Sequence, residues 1–201
     1  PAAWNARALA APMPLAPPVI NTPCPEKSKL MPAIPSRLPA PGSDGTRVLY
    51  YRRGSAAARL GPAFAATLPL SSAPIVHLSG ITAALSDSCR ALVDEVIGTR
   101  RAAGLPVSFD VNYRAALWDP AVAARELLDL ARRCDLVFVG RDEADFLLGT
   151  ATAEEVRALI GHPTRLVVKD GDVGAHAFDG GRADFAPAER VDVVEPVGAG
   201  D

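Results

Sequence analysis

The sequence predicts an α/β fold, a mainly parallel sheet with helices on both faces. Three observations lead there. Short apolar, β-branched runs alternate with amphipathic helical patterns from residue 75 onward. The helical stretches open at capping residues and close at glycine or at the next apolar run. A composition of 49% hydrophobic and 22% charged residues is that of a globular chain able to bury a core.

The first ordered stretch is Thr46-Arg47-Val48-Leu49-Tyr50-Tyr51-Arg52-Arg53, entered from the Asp44-Gly45 turn and read as a strand. Ile75-Val76-His77-Leu78-Ser79 is a second apolar run. Ser86 then caps a helix whose inner face is Cys89, Leu92, Val93, Val96 and Ile97, with Gly104 as its stop. Val107 to Val111 reads as a strand, Asp119-Pro120 opens a helix bearing Leu127, Leu130 and Ala131 inward, and Leu136 to Val139 is a buried strand. Two short helices, around Glu143 to Leu148 and Ala153 to Ile160, precede a strand at Leu166 to Val168.

Residues 1–43 differ in texture. More than half of the 19 prolines lie there, and each removes a backbone donor and restricts the residue before it, so an irregular segment is expected. A reading-frame shift upstream of Ser43 would produce similar sequence. The domain proper is expected to span 44–201. The chain starts at Pro1 and stops where a helix should open, and it is read as an internal piece of a longer protein.

A net charge of −2, with no dense run of Lys or Arg, gives no basic field for nucleic acid, and no stretch reads as a membrane span. The expected partner is a small molecule. Cys24, Cys89 and Cys134 are odd in number and widely spaced, which argues against a disulfide framework or a thiolate zinc site and favours a reducing cytoplasm. His77, His162 and His176 are equally scattered.

In a parallel sheet, ligands bind beyond the carboxyl ends of the strands. There, alternation along an extended chain turns Asp110, Asn112 and Arg114 the same way, a row suited to a polyol or a carboxylate. A turn with a surface ion pair between Arg114 and Asp119 accounts for the same residues equally well. Tyr50 and Arg52 share one side of their strand; Arg52 converging with Arg114 would suit an acidic sugar, whereas alone the pair reads as a solvated edge. Lys169-Asp170-Gly171-Asp172-Val173-Gly174 is either a loop lying against nucleotide or a plain hairpin turn. Finally, Glu195-Pro196-Val197-Gly198-Ala199-Gly200-Asp201 places small residues at a strand-to-helix junction. Backbone N–H groups and the helix dipole there suit a phosphoryl group, and Asp201 can accept the proton of an attacking hydroxyl.

Taken together, these motifs resemble the ribokinase-like (phosphofructokinase B) carbohydrate kinases, and within them the 2-keto-3-deoxygluconate kinases. The resemblance covers 44–201 and rests on Asp44-Gly45-Thr46-Arg47-Val48-Leu49-Tyr50-Tyr51-Arg52-Arg53-Gly54-Ser55-Ala56-Ala57, on Leu78-Ser79-Gly80-Ile81-Thr82, on Phe109-Asp110-Val111-Asn112-Tyr113-Arg114 with Leu117-Trp118, and on the final turn. It implies ATP- and Mg²⁺-dependent phosphorylation of a sugar acid's terminal hydroxyl. Tyr50, Arg52, Ile81 and Arg114 would line the acid's pocket, Gly171 and Gly174 would face ATP, and Glu143 would organise magnesium through its waters. Gly198, Ala199 and Gly200 would form an anion hole with Asp201 as base, and residues 44–57 would belong to a lid through which family members often assemble as homo-oligomers.

Two positions depart from the family pattern: Gly140 stands where Asn is common in Asn-x-x-Glu, and Glu195 where Asp is usual. Because the family's opening strands and the helix after Asp201 have no counterpart, the 201-residue chain alone is expected to lack kinase activity. A kinase of a neutral sugar such as fructose or ribose, or a non-catalytic remnant, are the competing readings. A dehydrogenase is disfavoured because no G-x-G-x-x-G follows the first ordered strand.

Overall fold

The computed structural model describes residues 54–161 and 165–190, all within the compact unit Leu49–Asp201. The elements in chain order are α1 (Pro62–Ala65), β1 (Val76–Ser79), α2 (Gly80–Ala84), α3 (Asp87–Ala102), β2 (Val107–Asp110), α4 (Pro120–Arg132), β3 (Leu136–Gly140), α5 (Arg141–Leu148), α6 (Ala153–Ile160), β4 (Arg165–Asp170), β5 (Gly174–Asp179) and β6 (Arg182–Pro187). The strands form one sheet in sequential order. β1 to β4 run parallel, and β5 and β6 add an antiparallel hairpin at the edge.

The local signals act as expected. The Ser86 hydroxyl accepts from Cys89 N at 3.2 Å, capping α3. Cys89, Leu92, Val93, Val96 and Ile97 are all buried along one face of that helix. Asp119 caps α4 by accepting from Ala121 N and Val122 N at 3.0 and 3.3 Å. Gly104, at φ +66, takes the left-handed conformation that ends α3 cheaply only for glycine.

In the sheet, Val107, Phe109, Val137, Val139, Leu166 and Val168 are buried and share one core with α3, α4, α5 and α6. Fully burying side chains of this size contributes about 1.5–3 kcal/mol each. Leu136, Phe138 and Val167, on the opposite face, are only half-buried among the described residues. A smaller cluster of Ala65, Leu70, Leu92 and Val96 seats α1 and the chain before β1 against α3.

An ion-pair clasp joins α3 to α4. Arg90 Nε donates to Glu126 at 3.1 Å, Arg133 pairs with Asp94 at 2.5 Å and Asp129 at 3.2 Å, and Arg90 also pairs with Asp94. Burial alone would raise the Asp94 pKa, but hydrogen bonds and charges from Arg90 and Arg133 outweigh it and hold the carboxyl below its usual range. The sign follows: the stabilisation is complete above the unfolded carboxylate pKa and is lost as pH falls through the depressed folded value. Asp94 is 39% exposed, so solvent screening limits the clasp to roughly 1 kcal/mol. Melting curves of wild type and Asp94→Asn should therefore differ at neutral pH and converge on acidification below about pH 4. A constant gap across that range would count against the clasp.

Candidate functional site

The parallel strands end side by side at Ser79, Asp110, Gly140 and Asp170. At the end of β1, Ser79 caps α2 by accepting from Ile81 N at 3.4 Å, which seats Ile81 in the first turn. Gly80 is required there. A Cβ at that position would overlap the Val111 carbonyl oxygen and lie 2.6 Å from Leu127 Cδ2. α2 therefore rests directly on the backbone leaving β2.

At the end of β2 the expected geometry changes. The extended chain stops at Asp110, and Asn112 adopts φ 41, a left-handed conformation that asparagine tolerates better than most residues. Asp110 Oδ1 accepts from Asn112 N at 3.1 Å and closes the turn. Asp110, Asn112 and Arg114 thus do not form a row by strand alternation; the local side chain-to-backbone bond bends the chain first. Nor does Arg114 pair with Asp119, whose carboxylate is occupied as the α4 cap. Its guanidinium donates to the Tyr113 carbonyl at 2.9 Å and approaches Glu143 at 3.8 Å while remaining 40% exposed. The Tyr113 ring stacks on Phe146 of α5, with centroids 5.8 Å apart, and packs against the core beside this loop.

Glu143 sits in the first turn of α5. Its Oε2 accepts from Gly140 N at 3.0 Å, so the side chain caps its own helix, and Oε1 faces Arg114. A Cβ at Gly140 would lie 3.3 Å from Oε2, a tight contact that a shift of the carboxylate by a few tenths of an ångström would relieve. Beside it, Arg141 pairs with Asp170 at 2.7 Å. Sequence reading missed that pair; its only signal is an arginine and an aspartate each next to a strand's carboxyl end.

Lys169, in register with Gly140, reaches Asp110 Oδ2 at 3.1 Å. The turn after it is a hairpin turn, as one of the two readings had it. Gly171, at φ +48, has no heavy atom within 4 Å of where a side chain would begin, so it is open to a ligand. Gly174 differs. At φ +143, with Phe185 Cζ and Pro187 Cα each 2.9 Å from a built Cβ, its smallness is demanded by β6 whatever else lies nearby.

The thiol of Cys134 is pushed up to about 12, first by burial and then by Asp135, so it is no nucleophile at neutral pH. Among the described residues no three His, Cys, Asp or Glu side chains are grouped to hold a metal ion. No helix among them is long and apolar enough to cross a membrane. Tyr50, Arg52, Glu195, Gly198, Ala199, Gly200 and Asp201 lie outside the described residues.

Candidate binding groups thus gather at the carboxyl edge of a parallel sheet, on strand ends and in the loops just beyond them. Residues 41–201 match the model of the pfkB family carbohydrate kinases. The chain belongs to this family. It is 39% identical over 173 residues to the 2-dehydro-3-deoxygluconokinase of Thermoproteus tenax, covering 84% of this chain and 51% of that one. The corresponding enzyme of Bacillus subtilis is 36% identical over 159 residues, 77% of this chain and 49% of the relative. Among solved structures, a PfkB protein from Polaromonas sp. JS666 superposes with a TM-score of 0.68 at 34% identity, over 75% of this chain and 52% of that one. The chain spans about half the length of the curated relatives it matches. A ribokinase-like α/β architecture, mainly parallel, is therefore the fold of this pfkB-family chain.

Proposed function

We propose that the protein carrying this chain is an ATP- and Mg²⁺-dependent kinase that phosphorylates the terminal hydroxyl of 2-keto-3-deoxygluconate. The observation that carries the proposal is Arg114. It lies just past the carboxyl end of β2, is 40% exposed, and among the described residues its only carboxylate neighbour is 3.8 Å away, so its planar fork is available to a substrate carboxylate. Its relatives' names point the same way, since two of them are 2-dehydro-3-deoxygluconokinases.

In this reading Arg114, with Tyr50 and Arg52, grips the carboxylate end of the sugar acid, and Ile81 packs against its carbon chain. Asp201 takes the proton of the terminal hydroxyl, and the N–H groups of Gly198, Ala199 and Gly200 receive the negative charge of the phosphoryl group. ATP with Mg²⁺, when bound, supplies that phosphoryl group and the counter-charge for it. The residues fit such a ligand: Gly171 is unobstructed, Lys169 is half-exposed, and Glu143 has one carboxylate oxygen free of backbone contact and able to order water around a cation. A reducing cytoplasm suits these substrates and the buried thiols of Cys89 and Cys134. Assembly through a strand at 47–53 belongs to the same proposal.

Arg114→Ala should lower kcat/KM for the sugar acid about 100-fold, the size of a lost charge-assisted contact. Turnover of fructose should hardly change. Arg114→Lys should recover only part of the loss, because an ammonium cannot reproduce the two-point contact. Equal losses on both sugars would instead favour a neutral-sugar kinase in which Arg114 is structural.

A further inference from the structure

Asp110 and Lys169 stand on strands that are not neighbours. β3 runs between them, and neighbouring strands lie about 4.8 Å apart, so the pair spans two such gaps. β3 presents Gly140 in register with Lys169, so β3 itself puts no side chain there, and the nearest side chain is that of Glu143. The lysine crosses at that level and places Nζ 3.1 Å from Asp110 Oδ2, with the two side chains 44% and 19% exposed.

The carboxylate has two tasks. Oδ2 receives the ammonium, while Oδ1 closes the turn at Asn112 that leads to Arg114. Asp170, the other carboxylate next to Lys169 in sequence, is occupied by Arg141. An ammonium carries three donors, and the described contacts use one, so the others are available to a ligand at this strand end, where the side-chain position of Gly171 is open.

We infer that Asp110 is a positioning residue and not, as its place in the motif suggests, a group that binds the sugar. It holds the Lys169 ammonium over Gly140, where it donates to a phosphate oxygen of the nucleotide. Through Asn112 it also sets the loop bearing Arg114, so one carboxylate ties the nucleotide side of the site to the acid side. This inference rests on the kinase reading above.

The test uses protein expressed from its full reading frame and a non-hydrolysable ATP analogue, with binding measured by calorimetry and turnover measured separately. Lys169→Met should weaken analogue binding about tenfold, and Asp110→Asn, which keeps an acceptor for Asn112 N, should weaken it about fivefold. The double variant should bind no worse than Lys169→Met, because the aspartate acts through the lysine. Asp110→Glu should recover part of the affinity. KM for the sugar acid should stay near wild type in Asp110→Asn but rise in Asp110→Ala, which also loses the turn.

Additive losses in the double variant, or unchanged binding in Asp110→Asn, would overturn the inference and leave the kinase reading intact. Loss of thermal stability with unchanged nucleotide affinity in both single variants would make the pair a structural ion pair only. A wild-type protein that neither binds the analogue nor transfers phosphate would overturn both.

Discussion

Arg100→Met should destabilise the domain by about 3 kcal/mol, a large effect for one residue far from the candidate site. Arg100 lies in the last turn of α3 and is fully buried. Its guanidinium donates to the carbonyls of Leu70, Ala73, Pro74 and Pro106 at 2.5, 2.7, 3.2 and 2.8 Å. Those carbonyls belong to the segment entering β1 and to the residue before β2, so one side chain fastens the start of both strands. Methionine fills much of the volume but leaves the acceptors unpaired, and each buried, unpaired acceptor costs about 1–3 kcal/mol before relaxation. Arg100→Lys should recover only part of the loss, because a point charge cannot reach four carbonyls in a fork. The denaturant midpoint at an unchanged slope is the measurement. A change under about 1 kcal/mol would mean that water replaces the guanidinium and that the pocket is not dry.

The counterpart of this buried positive charge is a set of carbonyl oxygens, with no carboxylate among the described contacts of its guanidinium. The position at the C-terminal end of α3 adds the negative pole of the helix. Nothing in the local sequence announces this. Arg100 and Arg101 are adjacent and look alike, yet Arg101 is exposed and donates to the Arg133 carbonyl at the surface. Burial separates them, and burial is a property of the assembled fold.

Elsewhere the sequence was more explicit. The 3.6-residue spacing of Cys89, Leu92, Val93, Val96 and Ile97 maps directly onto one helix face, and Ser86 and Asp119 act at caps through their own side chains. β6 was invisible for the opposite reason: every one of its residues is exposed, so there is no buried alternation to read. The turn after β2 was misread because strand alternation was extended past Asp110, where a carboxylate-to-amide bond bends the chain. The candidate site is legible as a set of residue types at strand ends, but its pairings are not. Arg114 with Glu143, Arg141 with Asp170 and Lys169 with Asp110 all join segments distant in sequence.

Asp201→Asn should lower kcat about 10³-fold with little change in KM for either substrate, the signature of a group that acts in the transition state. The physical reason is specific to the hydroxyl nucleophile. A sugar alcohol attacks a phosphoryl group well only as its proton leaves, and a carboxylate held beside it accepts that proton. An asparagine keeps the shape and a hydrogen bond but cannot take the proton. In the proposed reading, Gly198, Ala199 and Gly200, which precede it in sequence, offer at most one methyl group to hold the phosphoryl group away. The most direct measurement is ATP-dependent phosphate transfer to 2-keto-3-deoxygluconate by protein expressed from its full reading frame, with the product examined by phosphorus NMR and Asp201→Asn run in parallel. A monoester on the terminal hydroxyl, formed at least about tenfold more efficiently than from fructose and nearly abolished in the variant, is the expected result. Transfer to fructose in preference to the sugar acid, or undiminished transfer by Asp201→Asn, would overturn the assignment.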